Sequence, residues 1–389
     1  MIRPLKWATL GALCGILAGV AASVFLILLD WVTETRLAHP MLVWFLPLGG
    51  FFIGWLYHEY GQNIAAGHNL ILDEIHNPKN VVPARMSPFV LLGTLVSHFF
   101  GASVGREGAA VQISASLADQ LTHPFKLTPA ERRTVLVAGT GAGFGAAIGA
   151  PWAGVLFGME VVTVGRLKPV APIESLIASF VAYYTARLLR APHSHFPVIA
   201  LPGVSIAMVL IVVAAGVLCG LLARGFTLFT HGIENLRKKW IPYPPLSPFF
   251  GGLILLALYQ LSGSYRYSGL GIDVIQEALT RPVSWADPLL KGAYTALSVG
   301  TGFKGGEFVP LVFMGTTLGS YLATWLPATA GFLGALGFAA LFGGAANTPL
   351  ACTIMAGELF GWGIAPYAFI ACLASYFCSG RSGIYRGQR

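Results

Sequence analysis

The chain has 389 residues, 55% of them hydrophobic and only 10% charged, with a mean hydropathy of +0.70. A soluble protein of this length could not cover so much apolar side chain, so the composition excludes that class and points to a polytopic membrane protein. The formal net charge of +8 is not a nucleic-acid signal, because the basic residues lie in short segments between apolar runs: Lys126 with Arg132 and Arg133, Arg166 with Lys168, and Arg237-Lys238-Lys239. The positive-inside rule assigns these loops to the cytoplasm, together with Arg3 and Lys6 ahead of the first apolar run.

Apolar runs follow one another at about 9–31, 41–57, 88–100, 134–162, 171–189, 203–230, 248–262, 290–301, 308–326, 331–357 and 363–378. Residues 7–29 mimic a signal peptide, but the stretch is long and no clear small-residue cleavage site follows, so a retained helix is expected. A full span needs roughly 20 residues. Several runs are shorter, which predicts broken and re-entrant helices covered by protein or lining a water-filled cavity. The 48 glycines fit close helix packing and helix interruptions. Cys14, Cys219, Cys352, Cys372 and Cys378 lie in or beside apolar runs without metal-ligand spacing, so packing is their expected role. A polar loop with Arg190, Pro192, His193, His195, Pro197 and Pro202 separates the halves near 190–204. The expected organisation is one transmembrane domain over 1–389, with repeats of about 1–195 and 196–389 and no cytosolic regulatory module.

The two halves carry the same pattern. Gly105-Arg106-Glu107-Gly108 is followed by Pro151, 44 residues after Glu107, and Pro151 leads to Glu160 nine positions later. Gly305-Gly306-Glu307-Phe308-Val309-Pro310 is followed by Pro349, 42 residues after Glu307, and Pro349 leads to Glu358 nine positions later. Duplicated acids at matching places are the signature of a transporter built from two repeats around a midplane site. Intramembrane carboxylates are functional candidates by default. If the halves are antiparallel, both turns aim helix N-termini, with their free N–H groups and partial positive charge, at the middle of the membrane.

Bland readings compete at each position. Glu107 could merely cap helix N–H groups, although an idle carboxylate is expensive inside a membrane. Glu307 could simply pair with Lys304. Glu160 and Glu358 fall at helix ends near the interface and read as structural. His68 either lines a pathway or bonds a loop, and Asn69 reads as bonding backbone in a broken helix. Asp73, Glu74 and His76 fall in an expected loop leading to Pro78, where a solvated or capping role is favoured over a metal cluster. On sequence alone, Tyr385 is an interfacial aromatic anchor.

Three segments, Ala66 to His76, Gly105 to Ala109 and Gly306 to Pro310, occur in an order that resembles the CLC family of anion channels and anion/proton antiporters. The resemblance covers nearly all 389 residues. It implies an all-α polytopic fold with a CLC-type inverted-topology repeat, a homodimer with one pathway per subunit, and no cofactor or metal. Within the family the chain looks most like the fluoride-exporting branch. Gly67-His68-Asn69 replaces the serine-bearing segment of chloride carriers, and Glu307 precedes Phe308 where those members have an apolar residue. Asn347 to Thr353 and Ser379 to Tyr385 look like the corresponding fluoride-branch helices. Val161 follows Glu160 where chloride antiporters have a second, proton-relaying glutamate. The chain departs from the fluoride pattern at His68, Ala109 and Phe308-Val309, and Phe308 is a chloride-like trait.

The implied function is fluoride/proton antiport, exporting fluoride from a bacterial cell across the inner membrane on the proton gradient. Glu107 is the implied gating and proton-transfer residue. Gly67, His68, Asn69, Gly105, Arg106, Gly108, Ala109, Glu307, Phe308, Val309 and Tyr385 are the candidate anion-binding residues. Fluoride is a strong hydrogen-bond acceptor whose dehydration needs several close donors, which backbone N–H groups, imidazole, amide and phenol can supply. A chloride channel or chloride/proton exchanger of the same fold is the first rival. An intramembrane enzyme is more remote, since no His-Glu-x-x-His or Gly-x-Ser-x-Gly string is present. The partners expected are fluoride, protons and membrane lipid, not nucleic acid.

Overall fold

The computed structural model describes residues 3–167 and 169–389, with side chains from Leu5 onward, so Lys168 and the Arg3 side chain lie outside the described residues. The first half contains α1 (Arg3–Ala38), α2 (Leu46–Tyr60), α3 (His68–His76), α4 (Met86–Phe99), α5 (Glu107–Asp119), the single turn α6 (Thr122–Phe125), α7 (Pro129–Ile148), α8 (Pro151–Glu160) and α9 (Pro172–Leu188). After an irregular stretch the second half runs through α10 (Ile206–Trp240), α11 (Leu246–Ser262), α12 (Ile272–Ala278), α13 (Ala286–Thr301), α14 (Phe308–Leu322), α15 (Ala330–Ala345), α16 (Pro349–Phe360) and α17 (Ala365–Ser379). Among the described residues there is no strand, only an antiparallel bridge between Gly105 and Gly306. The expected all-α class is therefore the observed one.

Among the described residues, four helical stretches are long and apolar enough to cross a membrane: Leu5–Ala38, Pro40–Tyr60, Ile206–Trp240 and Trp362–Ser379. Shorter apolar helices, among them α4, α14, α15 and α16, fill the space between them. At 1.5 Å per residue a 15-residue helix reaches only about 22 Å, short of the roughly 30 Å hydrocarbon thickness. One end of such a helix can stop inside the protein: the first turn of α14 is buried, while its last turn leads to the exposed Thr324 and Trp325.

Local chemistry sets the boundaries. Proline opens α7, α8, α9 and α16, where its missing N–H costs nothing. Thr128 and Glu131 form a reciprocal capping box at the start of α7. Gly149, at φ +83, ends α7 so that Pro151 can start a new helix, and Asn347, at φ +56, does the same between α15 and α16. Small residues permit the closest crossings: a β-carbon at Gly315 of α14 would run into the carbonyl oxygen of Gly337 on α15, and the reverse holds too.

Several sequence expectations are corrected. Asp73, Glu74 and His76 lie on helix α3, not in a loop. Glu74 accepts hydrogen bonds from the backbone N–H of Lys79 and Asn80 and pairs with Arg132 at 2.9 Å. Arg132 and Arg133 belong to α7, and Arg132 is buried, also paired with Asp119 at 2.7 Å. Arg237, Lys238 and Lys239 form the last turn of α10. Segment 380–389 follows α17 without a helix. The five cysteines are free thiols, four of them buried.

Candidate ion pathway

The two carboxylate turns meet. Gly105 N–H donates to Gly306 O at 2.5 Å, and Gly306 N–H donates to Gly105 O at 2.7 Å. A β-carbon on either glycine would strike the opposite turn, so both positions need glycine for this approach. Helix α5 starts one residue beyond Arg106, and α14 starts one residue beyond Glu307. The pairing therefore matches Arg106 with Glu307 and Glu107 with Phe308. The expectation that Glu107 and Glu307 occupy equivalent places is wrong by one residue.

The bridge separates two cavities. One, of about 490 Å³, reaches His68, Asn69, Gly108, Gly306, Glu307 and Tyr385. The other holds only about 20 Å³, near the size of one water, and is bounded by Arg106, Glu107, Ser194, Phe308 and Val309 among others. Glu107 faces the small cavity and its neighbour Gly108 faces the large one. The first turn of α5 thus contributes adjacent residues to the two cavities.

Glu107 is buried, and its carboxylate folds back on Arg106, accepting from Nε at 3.1 Å and from the backbone N–H at 3.3 Å. Arg106 also donates from Nη2 to Ser194 Oγ at 3.2 Å, which ties the carboxylate turn to the stretch joining the halves. Sequence reasoning read that stretch only as a boundary and missed Ser194. No local pattern marks it.

Glu307 differs. It is half-buried, lines the large cavity, and its carboxylate has no hydrogen bond or ion pair among the described residues. The alternative pairing with Lys304 is not formed: Lys304 Nζ lies 4.1 Å from the centroid of the Tyr57 ring, a cation–π contact.

Across the same cavity His68 stacks on Tyr385, with centroids 4.3 Å apart and planes at 15°. His68 is buried and neither ring nitrogen has a protein partner, so it does not bond a loop. Gly67, at φ +57, caps α3 in a conformation that suits glycine and turns the His68 side chain into this wall. Asn69 Oδ1 accepts from the backbone N–H of Gly387 at 2.9 Å, a backbone bond as expected, although to segment 380–389 rather than within its own broken helix. Gln112, another residue missed from sequence, donates from Nε2 to Gly108 O at 3.1 Å.

Phe308 and Val309 open α14 and are buried, while Ala109 is enclosed in the first turn of α5. Phe308 sits edge-on to Phe342 at 4.6 Å and to Phe144 at 5.5 Å, and Phe144 stacks on Phe157 at 3.9 Å. Ring edges carry partial positive charge, so an aromatic cluster beside an N-terminal turn is not hostile to an anion.

Glu160 and Glu358 form a reciprocal device. Glu160, ending α8, accepts from the N–H of Leu350 (3.0 Å) and Ala351 (2.7 Å) at the start of α16. Glu358, near the end of α16, accepts from the N–H of Trp152 (3.0 Å) and Ala153 (2.8 Å) at the start of α8. Each glutamate caps the other helix, which bears out their structural reading.

Comparison with known proteins agrees with this architecture. A family model described as voltage gated chloride channel matches residues 49–380. A chloride/fluoride channel protein of Pseudomonas syringae pv. tomato is 47% identical over 390 residues, covering 99% of this chain and 86% of the relative. The crystal structure of a CLC-type fluoride/proton antiporter superposes with a TM-score of 0.96 at 31% identity, covering 100% of this chain and 99% of that one. The structure of a slow cyanobacterial Cl−/H+ antiporter shares the fold, with a TM-score of 0.84 at 18% identity over 98% of this chain and 96% of the other.

Proposed function

The chain belongs to the voltage-gated chloride channel (CLC) family, and we propose that within it the protein is a fluoride/proton antiporter of the bacterial inner membrane. It is a transporter rather than an enzyme, built as one domain from repeats of about 1–195 and 196–389, and it works as a homodimer with a pathway in each subunit. The observation that carries the reading is the wall of the large cavity. Both ring nitrogens of His68 and the carboxylate of Glu307 lie without protein partners around one space, with Tyr385 stacked on His68. Buried polar groups seek a partner, and an anion that accepts strongly satisfies imidazole N–H, phenol O–H and a protonated carboxyl together.

Glu107 is the moving part. When protonated it gives up its ion pair with Arg106, and its departure opens the one-residue barrier between the cavities. When ionised it closes that barrier and competes with the anion for the N–H groups of Gly108 and Ala109 and the rest of the first turn. Gly105 holds the turn closed against Gly306, and Arg106 receives the anion on the small-cavity side. Gly67 and Asn69 shape the opposite wall, and Phe308 and Val309 line the small cavity. The large cavity faces the cytoplasm, because the basic last turn of α10 borders it at Arg237.

The test is efflux from liposomes holding the purified protein, with fluoride, chloride and internal pH recorded together. Fluoride efflux accompanied by opposite proton movement supports the reading. Equal chloride and fluoride movement makes the protein a chloride exchanger or channel of the same fold.

A further inference from the structure

Segment 380–389 has no helix, yet it is sewn to both halves of the molecule. Ile384 N–H donates to Ala345 O at 2.9 Å, Gly387 N–H to Asn69 Oδ1 at 2.9 Å, and Val164 N–H to Arg389 O at 3.0 Å. Arg386 pairs with Glu234 of α10 at 2.7 Å. Gln388 uses its whole side-chain amide. Its Nε2 donates to Val161 O at 3.0 Å and to Ala346 O at 2.8 Å, while its Oε1 accepts from Asn347 Nδ2 at 2.9 Å.

The two carbonyls are significant. Val161 is the C-cap of α8 and Ala346 is the C-cap of α15. Carbonyls in the last turn of a helix have no intrahelical donor, and away from water an unmade bond there is costly. One amide therefore closes two helix ends, one from each half of the chain. Three residues earlier stands Tyr385, whose carbonyl accepts from Gln388 N–H at 3.3 Å in a tight turn. Tyr385 is fixed to the end of α15 on both flanks, through Ile384 to Ala345 and through Gln388 to Ala346. Removing the Gln388 amide leaves only the first of these anchors to α15, so the turn that aims the phenol is held on its far side by Arg386 and Gly387 alone and shifts.

We infer that Gln388 is a positioning residue for the ion pathway: its amide, bonded to Val161, Ala346 and Asn347, fixes the Tyr385 ring in its stack on His68 and so sets where the hydroxyl lies. The inference rests on the fluoride-pathway reading of Tyr385 given above. Gln388 lies outside both cavities and touches no transported ion.

A double-mutant cycle on fluoride efflux tests it. Tyr385→Phe, which removes one hydroxyl donor to an anion, slows efflux about tenfold. Gln388→Ala produces a comparable loss by displacing the same hydroxyl. Once Tyr385 is phenylalanine, Gln388→Ala causes little further loss, because the two changes act on one interaction. Gln388→Glu keeps the acceptor for Asn347 but presents oxygens to two carbonyls, so it behaves like the alanine variant. Asn347→Gly suits φ +56 and removes only one of the three bonds, so it costs about two- to threefold, again only while Tyr385 carries its hydroxyl. If Gln388→Ala does not elute as a folded species, the Asn347 cycle decides the matter alone. Losses that multiply would make the segment a general brace and overturn the inference while leaving fluoride transport intact. A wild-type protein that moves no fluoride would overturn both.

Discussion

The two paired turns share a backbone and differ in what they carry. Gly105 and Gly306 are held by reciprocal hydrogen bonds, and each leads into a helix two residues later. Past that point the symmetry breaks: counted from the paired glycines, Arg106 corresponds in position to Glu307, and Glu107 to Phe308. The two Pro-to-Glu helices do the opposite. Glu160 and Glu358 make the same two bonds to the same positions of each other's helix, so symmetry extends to the side chains. Where both halves keep the same side chain doing the same job, that job is structural. Where one backbone carries different chemistry, the two sides differ: a carboxylate paired with Arg106 on the side of the small cavity and an unpartnered one on the side of the large.

The sharpest way to break this contrast is at Glu107. Glu107→Gln keeps the volume but cannot exchange a proton at neutral pH, so fluoride-driven proton movement should fall to the level of protein-free liposomes. Proton movement at the wild-type rate in the glutamine variant would remove Glu107 from the mechanism.

The counterpart test is Glu307, where a fixed negative charge beside an anion pathway requires a reason. A protonated carboxyl donates well to fluoride and matches chloride less well. Glu307→Ala should therefore slow fluoride efflux about tenfold or more, with a smaller change in any residual chloride flux. Glu307→Gln retains a donor without the titration and should fall between alanine and wild type. Equal losses of both anions in a well-folded alanine variant would make Glu307 a structural cap.

A smaller effect is expected at Ser194. Its hydroxyl holds one arm of Arg106, and without it that arm is free to tighten on Glu107. Ser194→Ala should slow turnover by roughly two- to fivefold, the worth of one modest hydrogen bond, while protons moved per fluoride stay constant. A changed ratio would show that Ser194 has a role beyond restraining Arg106.

Much of this was legible in the sequence for physical reasons. Long apolar runs with no compensating charge can only be buried or membrane-facing, so the major helices fall where hydropathy puts them. Glycine-flanked glutamates ahead of apolar runs marked both turns. The one-residue offset between Glu107 and Glu307 was hidden because Gly305 and Gly306 allow two alignments, and only the hydrogen-bonded pairing selects Gly306. Helices α3 and α12, nine and seven residues long, are below the length that holds as a helix alone and form because their neighbours shield them. The Glu74–Arg132–Asp119 cluster joins residues 58 and 13 positions apart, so no local spacing announces it. Ser194 and Gln388 are invisible for the same reason: their partners lie in other elements.

The smallest effect on transport belongs to the symmetric pair. Glu160 precedes Val161, so no second acid stands beside it to pass a proton inward, and both its carboxylate oxygens are already occupied by backbone N–H groups of α16. Glu160→Gln keeps one acceptor oxygen for that cap and turns the other position into a donor facing a donor. The cost should be about 1–2 kcal/mol of stability, typical for weakening a helix cap, read as a lower melting temperature in detergent. Glu358→Gln weakens the mirror-image cap and should cost a similar amount. Protons moved per fluoride should stay at the wild-type value in both variants. A Glu160 variant that stops proton transport while sparing anion flux would turn this glutamate into a relay and favour the chloride-exchanger reading. Markedly unequal stability losses would mean that the two caps, alike in geometry, are not alike in load.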